Sequence, residues 1–176
     1  MERRRVAGKP AEWLGRFTRV QAWGDISILS KPLLALFCST ACPGQVLLGA
    51  MDRARELRDM GRTVMGGFHS PVERECLTVL LRGLQPVVIC PARGLDRMRV
   101  PGEWRKALEE RRMLVLSPFG AGQRRVTAAL ATERNEFVLA LADEAWFVHV
   151  APGGETERLA RLAREWGKKL IRVEAE

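Results

Sequence analysis

The sequence predicts an α/β protein: a single doubly wound, mostly parallel sheet of about six core strands, packed as a Rossmann-like three-layer sandwich. Three observations lead there. Short, continuous apolar runs, the mark of strands covered on both faces, recur along the chain. Segments with apolar residues at helical spacing lie between them. Glycines at 61, 83 and 167 stop three of those segments.

Residues 1–19 read as a basic N-terminal extension and 20–176 as the domain, with a short strand expected around Thr18–Trp23. The first core strand is the unbroken apolar run Leu33–Cys38. Leu47, Ala50, Met51, Ala54 and Leu57 then share one face of a helix over Val46–Met60. Thr63–Met65 is a short strand. Ser70-Pro71-Val72-Glu73 is a capping box with proline at the first helical position, so a helix runs from there to Arg82. Strands at Pro86–Cys90, Met113–Leu116, Ala145–Val150 and Lys169–Val173 complete the sheet. Helices at Gly102–Arg111, Arg125–Ala142 and Glu155–Trp166 separate them.

A chain of 176 residues, 47% hydrophobic and 28% charged, suits one domain with a real core. No apolar run approaches the roughly 20 residues of a membrane helix. No apolar block follows Met1-Glu2-Arg3-Arg4-Arg5, so the expected location is cytoplasmic, with no membrane partner. Cys38, Cys42, Cys76 and Cys90 show neither zinc spacing nor a neighbouring histidine, and no metal is expected. Three of them read as small buried hydrophobes; Cys42, just past a strand end, is the one to test for reactivity. The net charge of +8 and pI near 10.2 favour anionic partners, with nucleic acid or nucleotides ahead of membrane surfaces. An arginine-rich surface without a ligand is the plainer alternative. Residues 1–20 carry six basic and two acidic side chains, half of the excess.

In sheets of this kind ligands bind beyond the carboxyl ends of the strands. Four loops leaving those ends are small, hydroxyl-bearing or glycine-rich. They offer Ser39, Thr40 and Gly44; Gly66, Gly67 and His69; Ser117; and Gly153, Gly154 and Thr156. Helix N-termini present unpaired N–H groups, and small residues let a phosphate approach them. Each loop alone is also ordinary turn chemistry. None is a GxGxxG or GxxxxGK[ST] motif, so no dinucleotide cofactor is expected. Arg134 and Asn135, on the long helix, are candidates to hold a phosphate or a base, against the alternative of a solvated helix face. His149, inside an apolar strand, reads as structural, and no triad or paired-carboxylate arrangement stands out. The five tryptophans are dispersed, which suits packing better than a row of stacking platforms.

These loops, in this order, resemble the DprA/Smf family of DNA-processing proteins over roughly residues 20–175. That family shares a Rossmann-like (SLOG) superfamily with the LOG-type phosphoribohydrolases. Val20–Asp25 and Leu29 ahead of Leu33–Phe37 are similar to the family's short strand, turn and first core strand. Cys38-Ser39-Thr40 falls at its Gly-Ser-Arg, and Met65–Glu73 at its Ser-Gly-x-Ala-x-Gly-Ile-Asp. Leu116–Phe119 and Glu133-Arg134-Asn135-Glu136 resemble its strand-end element and Arg-Asn-Arg helix start. Thr40 and Glu136 stand where the family has arginines, and the chain has no room for the winged-helix or SAM-like domains of many members. The resemblance implies a stand-alone domain that binds a nucleotide or single-stranded DNA without covalent chemistry. It also implies a homodimer and a recombination protein as partner. Ala151–Thr156 is similar to the LOG-type Pro-Gly-Gly-x-Gly-Thr-x-x-Glu motif, with Leu159 at the glutamate position. The alternative is therefore N-glycosidic hydrolysis of a nucleoside monophosphate, with Arg134 and Glu155 or Glu157 as surrogate groups. A ligand sensor or scaffold is the third reading.

Overall fold

The computed structural model describes residue 12 and residues 14–171. Most of the expected basic extension (residues 1–11 and 13) and the end of the last strand (Arg172, Val173) lie outside the described residues. Seven strands form one sheet: β1 (Gln21–Gly24), β2 (Leu33–Cys38), β3 (Thr63–Gly66), β4 (Val87–Ile89), β5 (Met113–Ser117), β6 (Glu144–His149) and β7 (Lys169–Ile171). The helices are α1 (Gln45–Asp59), α2 (Pro71–Leu81), α3 (Gly102–Glu109), α4 (Ala128–Leu141) and α5 (Glu155–Glu165). The elements follow the sequence reading within a few residues. A 3-10 turn at Ile26–Ser30, capped by the Asp25 carboxylate, was not anticipated.

The strand order is β1-β5-β4-β3-β2-β6-β7. All neighbours from β5 to β7 are parallel, while β1 runs antiparallel along the β5 edge. The alternation of β2 explains its unbroken apolar sequence. Leu34, Leu36 and Cys38 join the core formed with α1 and α2, while Leu33, Ala35 and Phe37 join the core formed with α4 and α5. The chain winds outward from β2 to β5 and then returns through α4 to place β6 beside β2. The topological switch point therefore lies between the carboxyl ends of β2 and β6.

The capping box forms as expected. The Ser70 hydroxyl accepts from the Glu73 backbone N–H at 3.3 Å, and Glu73 returns a bond to the Ser70 N–H at 3.2 Å. Among the described residues, no helix is long and apolar enough to cross a membrane, and no His, Cys, Asp or Glu cluster has metal-binding form.

Candidate functional site

A cleft of about 190 Å³ opens over the carboxyl ends of β3 and β4. Gly67 and His69 enter it from the loop after β3, Arg74 from α2, Arg93 from the loop after β4, and Val126 and Arg134 from the α4 region. Three arginines line this cleft and no carboxylate does. Among the described residues, Arg74 and Arg93 form no ion pair.

The loop that supplies Gly67 and His69 is held in an uncommon shape. Phe68 between them adopts φ of 48°, the left-handed region, while its ring is buried. Such a conformation costs on the order of 1 kcal/mol and persists only where surrounding contacts enforce it. Glu73 supplies those contacts. Its carboxylate accepts from the Cys38 N–H at 2.8 Å, the His69 N–H at 2.8 Å and the Ser70 N–H at 3.2 Å. One buried side chain thus ties the end of β2 to the loop after β3. Burial pushes the Glu73 carboxyl up from its ordinary pKa, and the three N–H donors and the nearby Arg134 charge act against that rise.

Arg134 is 4% exposed. Its Nη1 donates to the Cys90 carbonyl at 2.8 Å, and its Nε donates to Asn135 Oδ1 at 2.8 Å. Burial lowers its pKa and the Glu73 charge opposes that shift. A side chain at Gly67 would overlap the Arg134 guanidinium, so the glycine is what lets the buried cation reach the cleft floor. Asn135 positions Arg134 through that Nε bond and is not among the residues that line the cleft.

The other candidates fall elsewhere. Ser117, expected to face a ligand, is fully buried, and its hydroxyl donates to the Arg93 carbonyl at 2.7 Å and accepts from the Phe119 N–H. It shapes the β4 loop from below. Gly66 is also buried, where a Cβ would press on the Leu36 carbonyl. At the switch point the Ser39 hydroxyl accepts from the Ala151 N–H at 2.8 Å, and the Ser39 N–H donates to the His149 carbonyl at 3.0 Å. His149 closes β6 and is half-buried, not a core residue. Thr40 is exposed and lines neither of the two cavities found along this edge.

The glycine-rich loop after β6 is engaged with itself. The Gly153 N–H donates to Glu157 at 3.0 Å, and the Gly154 N–H donates to the Ala151 carbonyl at 3.3 Å. Thr156 sits half-buried in the first turn of α5. Glu155 and Glu136 both pair with Arg158, at 2.7 and 2.8 Å. Leu159, at the position of the hydrolase motif's glutamate, is 1% exposed and belongs to the core. Gly44 lies in a second cavity of about 540 Å³, shared with Cys42, Pro43, Leu47 and the start of α2.

Of the residues the sequence singles out, Gly67, His69 and Arg134 meet in this cleft, beside Arg74 and Arg93, which it does not single out. The loop after β4 (Pro91-Ala92-Arg93-Gly94) was the one carboxyl-end loop not singled out. Only the strand order, which sets β4 beside β3, brings it to the cleft.

At the level of sequence, no family model and no curated protein matches the chain. Solved structures do. DNA processing protein A (DprA) of Streptococcus pneumoniae superposes with a TM-score of 0.74 at 17% identity, over 89% of this chain and 55% of that one. The Helicobacter pylori protein, described for its single-stranded DNA binding mode, gives 0.74 at 19% identity, over 100% of this chain and 82% of that one. The fold is that of the DprA proteins. This chain spans about half (55%) of the S. pneumoniae DprA. A molybdenum cofactor binding protein of Rippkaea orientalis shares the same Rossmann-like architecture more distantly, with a TM-score of 0.55 at 12% identity over 80% of this chain and 74% of that one.

Proposed function

We propose that this chain binds single-stranded nucleic acid along the carboxyl edge of its sheet, seating a backbone phosphate in the cleft of Arg74, Arg93 and Arg134. The observation that carries the reading is the cleft itself: three arginines line it, no carboxylate does, and Arg74 and Arg93 form no ion pair among the described residues. Its volume of about 190 Å³ falls below the roughly 300–1,000 Å³ of pockets that enclose whole small-molecule ligands. A phosphate with the rest of its chain outside fits better than an enclosed nucleotide. The single-stranded form of the ligand is drawn from the fold, since the H. pylori DprA is described as a single-strand binder. Arg134 acts from below as a fixed buried charge, and Arg74 and Arg93 make the direct contacts. Self-association and a recombination protein as partner extend the same reading and come from the resemblance of the sequence motifs.

The test is the salt dependence of oligothymidylate binding. For single strands the logarithm of affinity falls with the logarithm of salt concentration with a slope of about −0.7 per phosphate neutralised. The Arg74→Ala, Arg93→Ala double variant is expected to bind at least tenfold more weakly, with a slope shallower by about 0.7 and a melting temperature no lower than the parent's. Equal affinity and equal slope in variant and parent would remove the cleft from the binding surface.

A further inference from the structure

We infer that the groove between the N-terminal ends of α1 and α2 is a nucleobase subsite, receiving the base next to the phosphate in the arginine cleft. The inference rests on the reading of that cleft as a phosphate site and adds what the strand does beyond it.

Arg74 lines both cavities, so the groove begins where the cleft ends, across a single side chain. The two differ in ways that match the two halves of a nucleotide. The cleft is small, and its charged lining is all cationic. The groove measures about 540 Å³, within the range of pockets that enclose an organic ring system. Its walls are largely apolar (Pro43, Leu47, Pro71, Val72), and its two charged residues, Arg74 and Glu75, are of opposite sign. A lining with balanced charge suits a neutral ligand part, as an all-cationic lining suits an anionic one. The faces of a base are apolar and gain from burial against apolar walls such as these.

The edges of a base also find a partner here. α1 starts at Gly44 with no side-chain cap and no acidic residue in its first turn. Its Val46 and Leu47 N–H groups are already engaged by the Pro43 and Gly44 carbonyls, at 3.0 and 3.1 Å, so the base edge is left to Glu75. Glu75 is an acceptor for exocyclic amines and for the N3–H of thymine. A Cβ at Gly44 would meet nothing within 4 Å, so the position accommodates a larger side chain.

Cys42 provides a direct readout, since it lines the groove and the other three cysteines are buried. The experiment compares oligothymidylate with an abasic oligomer of equal length and charge, on the full chain at saturating concentration. Oligothymidylate is expected to slow maleimide alkylation of Cys42 at least tenfold, and the abasic strand to leave the rate unchanged while still binding with salt-dependent affinity. A second arm uses Gly44→Leu, whose backbone φ of −59° accepts any side chain, with the melting temperature as a check on folding. It should weaken oligothymidylate binding about tenfold, the scale of one lost base contact, and leave abasic binding as it was. Equal binding of both strands, with Cys42 equally reactive in each complex, overturns the base subsite and leaves the phosphate reading standing. Absence of salt-dependent binding by either strand overturns both.

Discussion

At the amino ends of the strands, charge is consumed in holding the sheet together. Glu144, at the start of β6, accepts from Arg62 at 2.6 Å and from Lys169 at 2.7 Å. Asp143 exchanges two hydrogen bonds with the Leu33 backbone, and the buried Lys168 ammonium donates to the Ala140 and Ala142 carbonyls. At the carboxyl ends the arrangement reverses. Glu73 and Arg134 are spent on backbone partners, and Arg74 and Arg93 project into a cleft with no counter-ion among the described residues. The amino end of the sheet is electrostatically closed, and the stretch of its carboxyl edge over β3 and β4 is left open to an external anion. Like-signed groups held in proximity without partners cost stability in the free protein, which is the usual signature of a binding surface.

The sharpest way to break this contrast is to remove Arg134. Arg134→Ala leaves the Cys90 carbonyl without its guanidinium donor and the buried Glu73 without its nearby cation. Loss of one member of such a buried arrangement costs about 3 kcal/mol, on the order of 10 °C in melting temperature for a domain of this size. Gly67→Ala reaches the same group from the other side, because the new methyl displaces the guanidinium. Both variants should melt early and bind single strands weakly. If Arg134→Ala melts within 1 °C of the parent, the buried cation is not part of the scaffold beneath the cleft.

The second test is Glu73→Gln, with an expected cost of about 2 kcal/mol in denaturant unfolding. The side chain keeps its volume but turns one of two acceptor oxygens into an amide donor. One oxygen serves the Cys38 N–H and the other serves His69 and Ser70, so either orientation sets N–H against N–H. The loop carrying Phe68 in its left-handed conformation should loosen first, seen as faster amide exchange at His69 and Ser70. Unchanged exchange there would show that the strained loop is held by something other than Glu73.

Glu73 also shows how far the sequence could be read. Ser70-Pro71-Val72-Glu73 announces a helix start through local spacing, and that helix forms. The same carboxylate's bond to Cys38, 35 residues away, is a tertiary contact with no local pattern. Leu33–Cys38 was legible as a central strand because burial on both faces leaves it no polar position. No local pattern marks Arg74 or Arg93, since their meeting depends on strand order. Ser117 misled in the opposite direction. A hydroxyl at a strand end before a glycine-rich turn suggests a ligand, yet here it satisfies the Arg93 carbonyl beneath the cleft.

The smallest expected effect lies at the closed end, and its pH dependence separates the two ends. Burial alone would raise the Glu144 pKa, but the hydrogen bonds and charges of Lys169 and Arg62 outweigh it and hold the carboxyl below its ordinary 4.5. A carboxylate with a depressed folded-state pKa adds stability that is complete above the unfolded pKa and is lost as pH falls through the folded one. Glu144→Gln should therefore cost about 1 kcal/mol at pH 7, the upper end for a partly exposed pair. The gap between parent and variant should narrow as pH drops below 4.5 and close once pH passes below the depressed folded-state value, where the parent carries a neutral side chain as well. Single-strand binding at pH 7 should be unchanged, since Arg62, Glu144 and Lys169 lie at the amino ends of their strands. A stability gap that stays constant from pH 7 to about pH 3 would mean that shape and not charge holds this end together. The division of the sheet into a paired edge and an open one would then lose its electrostatic basis.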